Sequence, residues 1–294
     1  MTTQIKAQPN TVTFQDKSFF QKHGKLIYMI ALSLFTLFWM LPIIWTLSTS
    51  FRPEIHIQAN LAKFIPEPFT TENWEYVLRS SKIPRWLFNS AFVAVTHTAL
   101  QLVICATAAY GFARIPFKGR GIVYPIVLAG LMVPGQATFI PVYLMFSDWG
   151  LLNTYTALIV PGIASPFAIF LLTQFFKEIP VEFEEAAYMD GATRLTAFRR
   201  IILPLSLPAL TTLAIFTFLG NWNNYLWPLV AATKDEVRTI TIGLRLISSQ
   251  WGYSDSYGKV MAAAWVGAMP IVLFFFAFQR RILSGISIGS GIKS

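Results

Sequence analysis

Two segments of the chain resemble catalytic or nucleotide-binding motifs, and neither has the surroundings that its chemistry requires. Gly285–Gly289 reads GISIG, the GxSxG pattern of a serine nucleophile, but only five residues follow it and none is Asp or His. Gly24–Lys25 resembles the end of a phosphate-binding loop, but Leu26 comes next and no glycine stands five residues before Gly24. We therefore expect no hydrolase site, no ATPase site and no catalytic residue in this chain.

A weak polar stripe is formed by His97, Gln101 and Cys105, which recur at helical spacing. Such side chains usually make hydrogen bonds between membrane helices, and a ligand or proton site is the alternative. The single Cys excludes a disulfide framework and any CxxC metal site. Because no cluster of His, Cys and carboxylates has metal-ligand spacing, we expect no metal and no cofactor bound by the chain itself.

Long stretches without charged residues are the main feature of the sequence. The helices that they predict would position any functional side chains. Apolar residues make up 54% and charged residues 13% of the chain, about half the roughly 25% charge of a soluble protein. A helix needs about 20 apolar residues to span the hydrocarbon core. Six charge-free stretches of 20 to 33 residues lie between Lys25 and Arg52, Arg85 and Arg114, Arg120 and Asp148, Asp148 and Lys177, Arg200 and Lys234, and Lys259 and Arg280. We therefore predict an all-α integral membrane protein with six transmembrane helices.

The net charge of +9 is explained by membrane topology. If the N-terminus lies in the cytoplasm, the inner segments carry 14 of the 23 Lys and Arg residues, as the positive-inside rule requires. This arrangement predicts a protein embedded in a lipid bilayer, with its N- and C-termini both in the cytoplasm. It also removes the need for nucleic acid as a partner of the basic residues.

The inner segment 177–204 is longer than a connection between two membrane helices needs to be. Pro180 breaks the exit from the fourth span, an acidic helix start follows, and Gly191 supplies a turn. A second amphipathic helix is predicted from about Thr193 to Ile202, with Pro204 ending it. From physics alone, this helix–glycine–helix hairpin could dock onto a protein partner or lie on lipid headgroups.

The same segment resembles the EAA signature of binding-protein-dependent ABC importer permeases. Glu185-Ala186-Ala187, Gly191, Ile201 and Leu203-Pro204 stand at the spacing of that motif. In that family the hairpin is a coupling helix that docks onto a cytoplasmic ATPase subunit. The resemblance implies that Glu185 makes a charged contact with the ATPase and that Gly191 allows the tight turn. The predicted coupling residues are Glu184, Glu185, Ala186, Ala187, Asp190, Gly191, Ile201, Leu203 and Pro204.

Four further segments resemble the MalG-like branch of this family, which imports sugars. They are Leu41–Glu54, Ala108–Arg120, Phe216–Val230 and the C-terminal QRRILSGISIGSGIK. The resemblance implies a type I ABC importer permease in the bacterial inner membrane, with a permease domain over 26–284. Cytoplasmic segments would be 1–25, the coupling loop 177–204 and the tail 285–294, and external loops would be 52–85 and 234–259.

The resemblance also implies partners for the chain. Two cytoplasmic ABC ATPase subunits would bind the ATP and Mg²⁺, and a second permease subunit, expected to be a distinct MalF-like chain, would complete the pathway. An external solute-binding protein would deliver a sugar or oligosaccharide. The same architecture carrying an amino acid, a peptide or a polyamine is the first alternative. An ion-coupled carrier or channel and a membrane-embedded enzyme are disfavoured, because the predicted spans contain no charge and no acid–base pair.

The fifth span holds the best candidates for a substrate path. Thr217, Asn221 and Asn224 are spaced to share one helical face, and amides can hydrogen-bond to sugar hydroxyls. Helix packing and an aromatic membrane interface are the competing explanations for these residues. The full set of path candidates is Thr217, Asn221, Trp222, Asn224, Tyr225 and, in the third span, Gln136.

The external stretch Ser248–Gly258 is small, polar and aromatic, which is compatible with a solvated loop. The family places a loop here that reaches into the sugar cleft of the binding protein. The resemblance therefore implies contacts with the binding protein from Ser249, Gln250, Trp251 and Tyr253.

Overall fold

The computed structural model describes residues 17–250 and 256–288, and the side chains of 24–247 and 256–279 within them. These residues form helices and connecting turns without a β-strand, as the all-α prediction requires. The α-helices in chain order are α1 Lys17–Ser50, α2 Glu54–Ala59, α3 Glu72–Glu75, α4 Ile83–Arg114, α5 Arg120–Ala129, α6 Gly135–Asp148, α7 Tyr155–Ile159, α8 Pro166–Glu178, α9 Glu182–Met189, α10 Arg194–Ala197, α11 Leu203–Leu205, α12 Leu207–Trp222, α13 Leu226–Ala231, α14 Ile240–Gln250 and α15 Tyr257–Ile288.

Three helical segments are long and apolar enough to cross a membrane: Gly24–Ser50, Ile83–Arg114 and Tyr257–Gln279. Two bent pairs of helices reach that length together. Arg120–Met132 meets Gly135–Asp148 at 99°, and Arg194–Leu205 meets Leu207–Trp222 at 74°. In the described residues the helices thus provide three spans, or five if each bent pair is one span.

Prolines explain both bends. Pro134 precedes α6 with extended backbone angles, and Pro208 stands in the first turn of α12. A proline ring lacks the N–H that would continue a helix and disfavours helical geometry in the residue before it. The fourth charge-free stretch is divided in the same way into α7 and α8, which have 5 and 13 residues. The count of six transmembrane helices therefore stays a prediction.

Helix α4 is the centre of the fold, because α7, α8, α12 and α14 all pack against it. Near its start, Trp86 belongs to an apolar cluster that includes Trp222 of α12. Near its end, Ala109 packs with Phe176 of α8 and with Phe198, which follows α10. Any displacement of α4 must therefore disturb the packing of several neighbouring helices.

The segments predicted as external loops contain helices. The range 52–85 holds α2, α3 and a π-helical turn at Tyr76–Ser80, and the range 234–259 holds α14 and the start of α15. Helix α1 contrasts with these packed elements, because every side chain from 25 to 44 is exposed within the chain. An apolar helix in this state needs lipid or a protein partner around it.

Candidate coupling site

The loop after α8 consists of α9, a glycine turn and α10. Three glutamates stand in the first turn of α9, where the helix dipole favours negative charge. Gly191 has a φ of +82°, its N–H donates to the Tyr188 carbonyl at 3.0 Å, and the next N–H donates to the Ala187 carbonyl at 2.9 Å. This is a Schellman C-cap, in which glycine is favoured because the left-handed backbone conformation strains other residues.

The second half of the loop differs from its prediction at Pro204. Thr193 caps α10 by accepting a hydrogen bond from the Thr196 N–H. The chain then continues through a π-helical turn, Phe198–Ile202, and through α11 to Leu205. Pro204 does not end this helical stretch, because it occupies the first turn of α11, where its missing N–H is tolerated. The break falls two residues later, at Ser206.

Glu184 is buried against the last turns of α4. Its Oε2 lies 2.9 Å from Nε of Arg114, and the two side chains are 5% and 10% exposed. The Tyr110 hydroxyl donates to its Oε1 at 2.8 Å, and the Tyr188 hydroxyl approaches the same oxygen at 3.4 Å. Among the predicted ATPase-coupling residues, Glu184 is thus one whose carboxylate is bonded within the chain. Glu184 attaches α9 to α4.

Arg114 also donates a hydrogen bond to the carbonyl of Ile179, the residue that follows α8. One guanidinium therefore joins the ends of α4 and α8 to the start of α9. Sequence reasoning missed Arg114 and Tyr110 as parts of this site. Their spacing of four residues was a usable signal, because it places both side chains on one face at the end of α4.

The neighbouring Glu185 has the opposite environment. Its side chain is exposed, as is that of Asp190, and neither carboxylate has an ion pair or hydrogen bond with another described residue. Met189, which the sequence analysis did not single out, is 88% exposed beside them. Charged and flexible apolar side chains thus point away from the chain at the tip of the hairpin.

A cavity of about 550 Å³ lies between α9 and the helical stretch after it. It brings together four of the predicted coupling residues: Ala187, Asp190, Gly191 and Ile201. The other members are placed elsewhere. Ala186 and Pro204 are exposed outside this cavity, and Leu203 packs against the apolar cluster at the end of α4.

The substrate-path candidates do not share one face of one helix, because α12 ends at Trp222. Asn224 and Tyr225 lie beyond that end, in the link to α13. The Asn221 amide donates to the Thr217 carbonyl of its own helix at 3.0 Å. Trp222 is 4% exposed, and its indole N–H lies 3.3 Å from the Gly267 carbonyl. Trp222 is therefore a packing residue in this conformation.

The remaining predicted positions are dispersed. Gln136 is exposed in the first turn of α6, one turn before Phe139, whose ring centroid lies 5.8 Å from that of Trp227. Ser249 and Gln250 end α14, and their side chains lie outside the described part of the chain. Trp251 and Tyr253 lie outside the described residues altogether.

The polar stripe on α4 makes one hydrogen bond to another helix, one within α4 and one contact to a turn. His97 Nδ1 lies 2.7 Å from the Ile159 carbonyl oxygen, and its Nε2 lies 3.1 Å from Gln101 Oε1. Cys105 is a buried free thiol beside the Ile163 carbonyl. Within the described ranges, no group of three or more His, Cys, Asp or Glu side chains could hold a metal ion.

Residues 101–288 match the protein family described as binding-protein-dependent transport system inner membrane component. The chain belongs to this family. It is therefore a membrane-embedded permease of a transport system that works with a binding protein, and it is a transport subunit, not an enzyme. The matched range begins in the middle of α4 and ends with α15, so it includes the whole hairpin.

Named relatives of this permease match nearly its whole length. It is 33% identical over 255 residues to the arabinooligosaccharides transport system permease protein AraQ of Halalkalibacterium halodurans, covering 86% of this chain and 90% of the relative. It is 34% identical over 253 residues to the diacetylchitobiose uptake system permease protein NgcG of Streptomyces coelicolor, covering 85% and 83%. It is 35% identical over 254 residues to the trehalose transport system permease protein SugB of Mycobacterium tuberculosis, covering 85% and 92%.

The fold of the permease is similar to that of solved importers. A chain in the crystal structure of a bacterial ABC transporter for the acidic polysaccharide alginate superimposes with a TM-score of 0.80 at 22% identity, covering 90% of this permease and 97% of that chain. A chain of the alginate transporter in complex with a pentasaccharide-bound periplasmic protein gives 0.55 at 19% identity, with the same coverage. The predicted fold class, an ABC importer permease, is confirmed.

Proposed function

We propose that this permease forms half of the translocation pathway of an ATP-driven importer, and that its cargo is a sugar or oligosaccharide delivered by an external binding protein. One observation carries the proposal: three relatives that match more than four fifths of the chain are permeases named for arabinooligosaccharides, diacetylchitobiose and trehalose. The N- and C-termini lie in the cytoplasm, in accord with the distribution of Lys and Arg.

The hairpin 177–204 docks onto one of two ATPase subunits, which bind the ATP and Mg²⁺. The exposed Glu185 and Asp190 supply charged contacts, and the exposed Met189 supplies an adaptable apolar one. The cavity beside Gly191 supports this role, since a partner side chain could enter it. The permease itself binds no cofactor.

The hairpin passes its movement to the membrane helices at three points. The buried pair Glu184–Arg114 joins it to α4, Pro180 joins it to α8, and the bend at Ser206 joins it to α12. ATP-driven closure of the ATPase subunits shifts these helices between inward- and outward-facing arrangements. Each ligand shifts that equilibrium by the difference between its affinities for the two states.

A second permease subunit, a distinct MalF-like chain, encloses the pathway together with this one. The exposed apolar surfaces of α1 and α6 are compatible with such a partner, as they are with lipid. Thr217, Asn221, Asn224, Tyr225 and Gln136 are the proposed polar contacts for sugar hydroxyls. Ser249, Gln250, Trp251 and Tyr253 are the proposed contacts with the binding protein.

The test is to purify the permease with its co-isolating subunits in nanodiscs and to measure ATP hydrolysis with a panel of binding-protein–sugar complexes. Stimulation by one complex supports the proposal and identifies the cargo. Co-purified ATPase without a response to any sugar contradicts the sugar cargo. A permease that isolates alone and transports without ATP contradicts the importer mechanism.

The docking role of the hairpin has a matched control in the chain. Gly191 and Gly119 have φ values of +82° and +85°, and an added Cβ would meet nothing within 4 Å at either position. Gly191→Leu and Gly119→Leu therefore introduce the same backbone strain, about 1–2 kcal/mol. We expect only Gly191→Leu to separate ATP hydrolysis from uptake. Normal uptake in Gly191→Leu would contradict docking at this turn.

A further inference from the structure

A polar pocket of about 450 Å³ lies at the end of α4 opposite to the hairpin. It is formed where the residues before and at the start of α4 meet the segment that leads into α14. Its lining includes Ser81, Lys82, Trp86, Thr233, Asp235 and Arg238. In the predicted topology this end of the permease faces the outside of the cell.

The pocket carries more positive than negative charge. Lys82 and Arg238 both form ion pairs with the same carboxylate, that of Asp235. Lys234 is exposed beside them without a hydrogen bond or ion pair of its side chain to another described residue. The exposed Glu236 offsets the charge of Lys234, but the pocket lining itself holds two cations and one carboxylate. This excess of positive charge attracts an anion.

The cations of the pocket are partly removed from water. The guanidinium carbon of Arg238 lies 5.8 Å from the centre of the Trp86 ring, and burial lowers the pKa of Arg238. The same ring also packs closely against Gly243, where an added Cβ would clash with it. Trp86 is 5% exposed, so its ring shields one side of the Arg238 guanidinium from water. A cation that is partly removed from water attracts an anion more strongly than a fully hydrated one.

The backbone around the pocket is held rigidly by neutral hydrogen bonds. The Asn89 amide donates to the carbonyls of Glu236 and Arg238 at 3.0 and 2.8 Å. The Ser90 hydroxyl accepts from the Ile240 N–H at 2.8 Å. These bonds fix the backbone at Arg238, and its guanidinium is itself bonded to Asp235 and to the Thr233 carbonyl. The charge of Arg238 is therefore held in place before any partner arrives, which favours binding.

We infer that this pocket is a docking point for an acidic side chain on the surface of the binding protein. The inference rests on the proposed function, which gives this face of the permease a binding protein as partner. The entering carboxylate would meet Lys82 and Arg238, the two cations that line the pocket. Charges at the rim of an interface chiefly govern the association rate and its dependence on salt.

The experiment measures how binding-protein concentration controls ATP hydrolysis by the complete transporter in nanodiscs of neutral phosphatidylcholine. The probe is the sugar-loaded binding protein that stimulates the wild type most strongly. The variants are Lys82→Glu and Arg238→Gln, which change the two cations of the pocket lining. The control is Lys63→Glu, which makes the same charge change as Lys82→Glu outside the pocket. We expect each pocket variant to raise the half-maximal concentration about tenfold and to weaken its salt dependence, with Lys63→Glu close to wild type. Reversing one acidic residue of the binding protein to Lys should restore stimulation of a pocket variant.

Four results would overturn the inference. The pocket variants could match the wild type within twofold, or Lys63→Glu could be impaired as much as they are. The effect could also follow the anionic lipid content of the nanodiscs or a negative charge on the sugar, which would assign the pocket to lipid headgroups or to an acidic cargo. If no binding protein stimulates or binds the wild type, the inference and the proposed function both fail. If the wild type responds normally and charge has no effect, only the inference fails.

Discussion

The two ends of α4 are attached to their neighbours by different kinds of interaction. At the hairpin end, a buried ion pair between Arg114 and Glu184 joins α4 to α9. At the other end, Asn89 joins α4 to the segment before α14 through neutral amide–carbonyl hydrogen bonds. The second end also has an ion pair, Lys82–Asp235, but its side chains are 64% and 34% exposed, against 10% and 5% for Arg114 and Glu184. The difference teaches that the buried contact at the hairpin end is ionic, whereas the buried contacts at the opposite end are neutral hydrogen bonds.

The largest effect is expected from Glu184→Ala, which would leave the Arg114 guanidinium buried without its carboxylate. Removing one partner of a buried ion pair costs about 3–5 kcal/mol of stability. The measurement is thermal unfolding in detergent with a thiol-reactive dye, because Cys105 is the single cysteine and is buried. The matched control is Glu185→Ala, an exposed neighbour that should change stability by less than about 0.5 kcal/mol. Equal unfolding temperatures for Glu184→Ala and Glu185→Ala would contradict the claim that a buried ion pair holds the hairpin to α4.

The next largest effect is expected from Asn89→Ala at the opposite end. Asn89 is fully buried, and its amide oxygen also accepts the Tyr155 hydroxyl at 2.7 Å. Leaving buried hydrogen-bonding groups without partners costs about 1–3 kcal/mol. Tyr155→Phe, which removes only one of these bonds, should have a smaller effect in the same dye assay. A loss larger than that of Glu184→Ala would reverse the order of the two ends.

Gly191→Ala is expected to cost about 1–2 kcal/mol, because alanine is strained in the left-handed conformation of this turn. Gly119→Ala should cost the same amount, since the two glycines have nearly the same φ and equally open surroundings. Unfolding temperatures of both variants test this equality. A much larger loss for Gly191→Ala would mean that the hairpin makes a contact within the chain at this turn.

The smallest effect is expected from Lys63→Ala. The Lys63–Glu67 ion pair has the same N–O distance, 2.9 Å, as the pair of Arg114 and Glu184, but its side chains are 37% and 67% exposed. Solvent-exposed pairs of this kind contribute about 0–1 kcal/mol. The unfolding temperature of Lys63→Ala should therefore stay close to wild type, and a loss similar to that of Glu184→Ala would show that burial does not decide the strength of these pairs.

Much of the coupling loop could be predicted from local sequence signals. The acidic start of α9, the turn at Gly191 and the cap at Thr193 all depend on residues within a few positions of one another. The position of the second break could not be predicted from Pro204 alone. A proline in the first turn of a helix is tolerated, so the helix continues through Pro204. The bend lies at Ser206, before Pro208.

The roles of the two adjacent glutamates could not be separated from the sequence. Glu184 and Glu185 are chemically identical, and the contacts of Glu184 with Arg114 and Tyr110, 70 and 74 positions away in the chain, distinguish the buried residue from the exposed one. The substrate-path prediction failed in its geometry for a similar reason. The helical spacing of Asn221 and Asn224 assumes an unbroken helix, and α12 ends between them. A long-range contact decides the role of Glu184, and the position of a helix end decides the arrangement of Asn221 and Asn224.

The central claim is that the hairpin drives α4 through the pair of Glu184 and Arg114. The most direct test is the number of sugar molecules taken up per ATP hydrolysed by the reconstituted transporter, in Glu184→Arg, Arg114→Glu and the double variant that exchanges the charges. We predict that each single variant hydrolyses ATP with strongly reduced uptake and that the double variant recovers a substantial part of the wild-type ratio. A wild-type ratio in both single variants would contradict the claim.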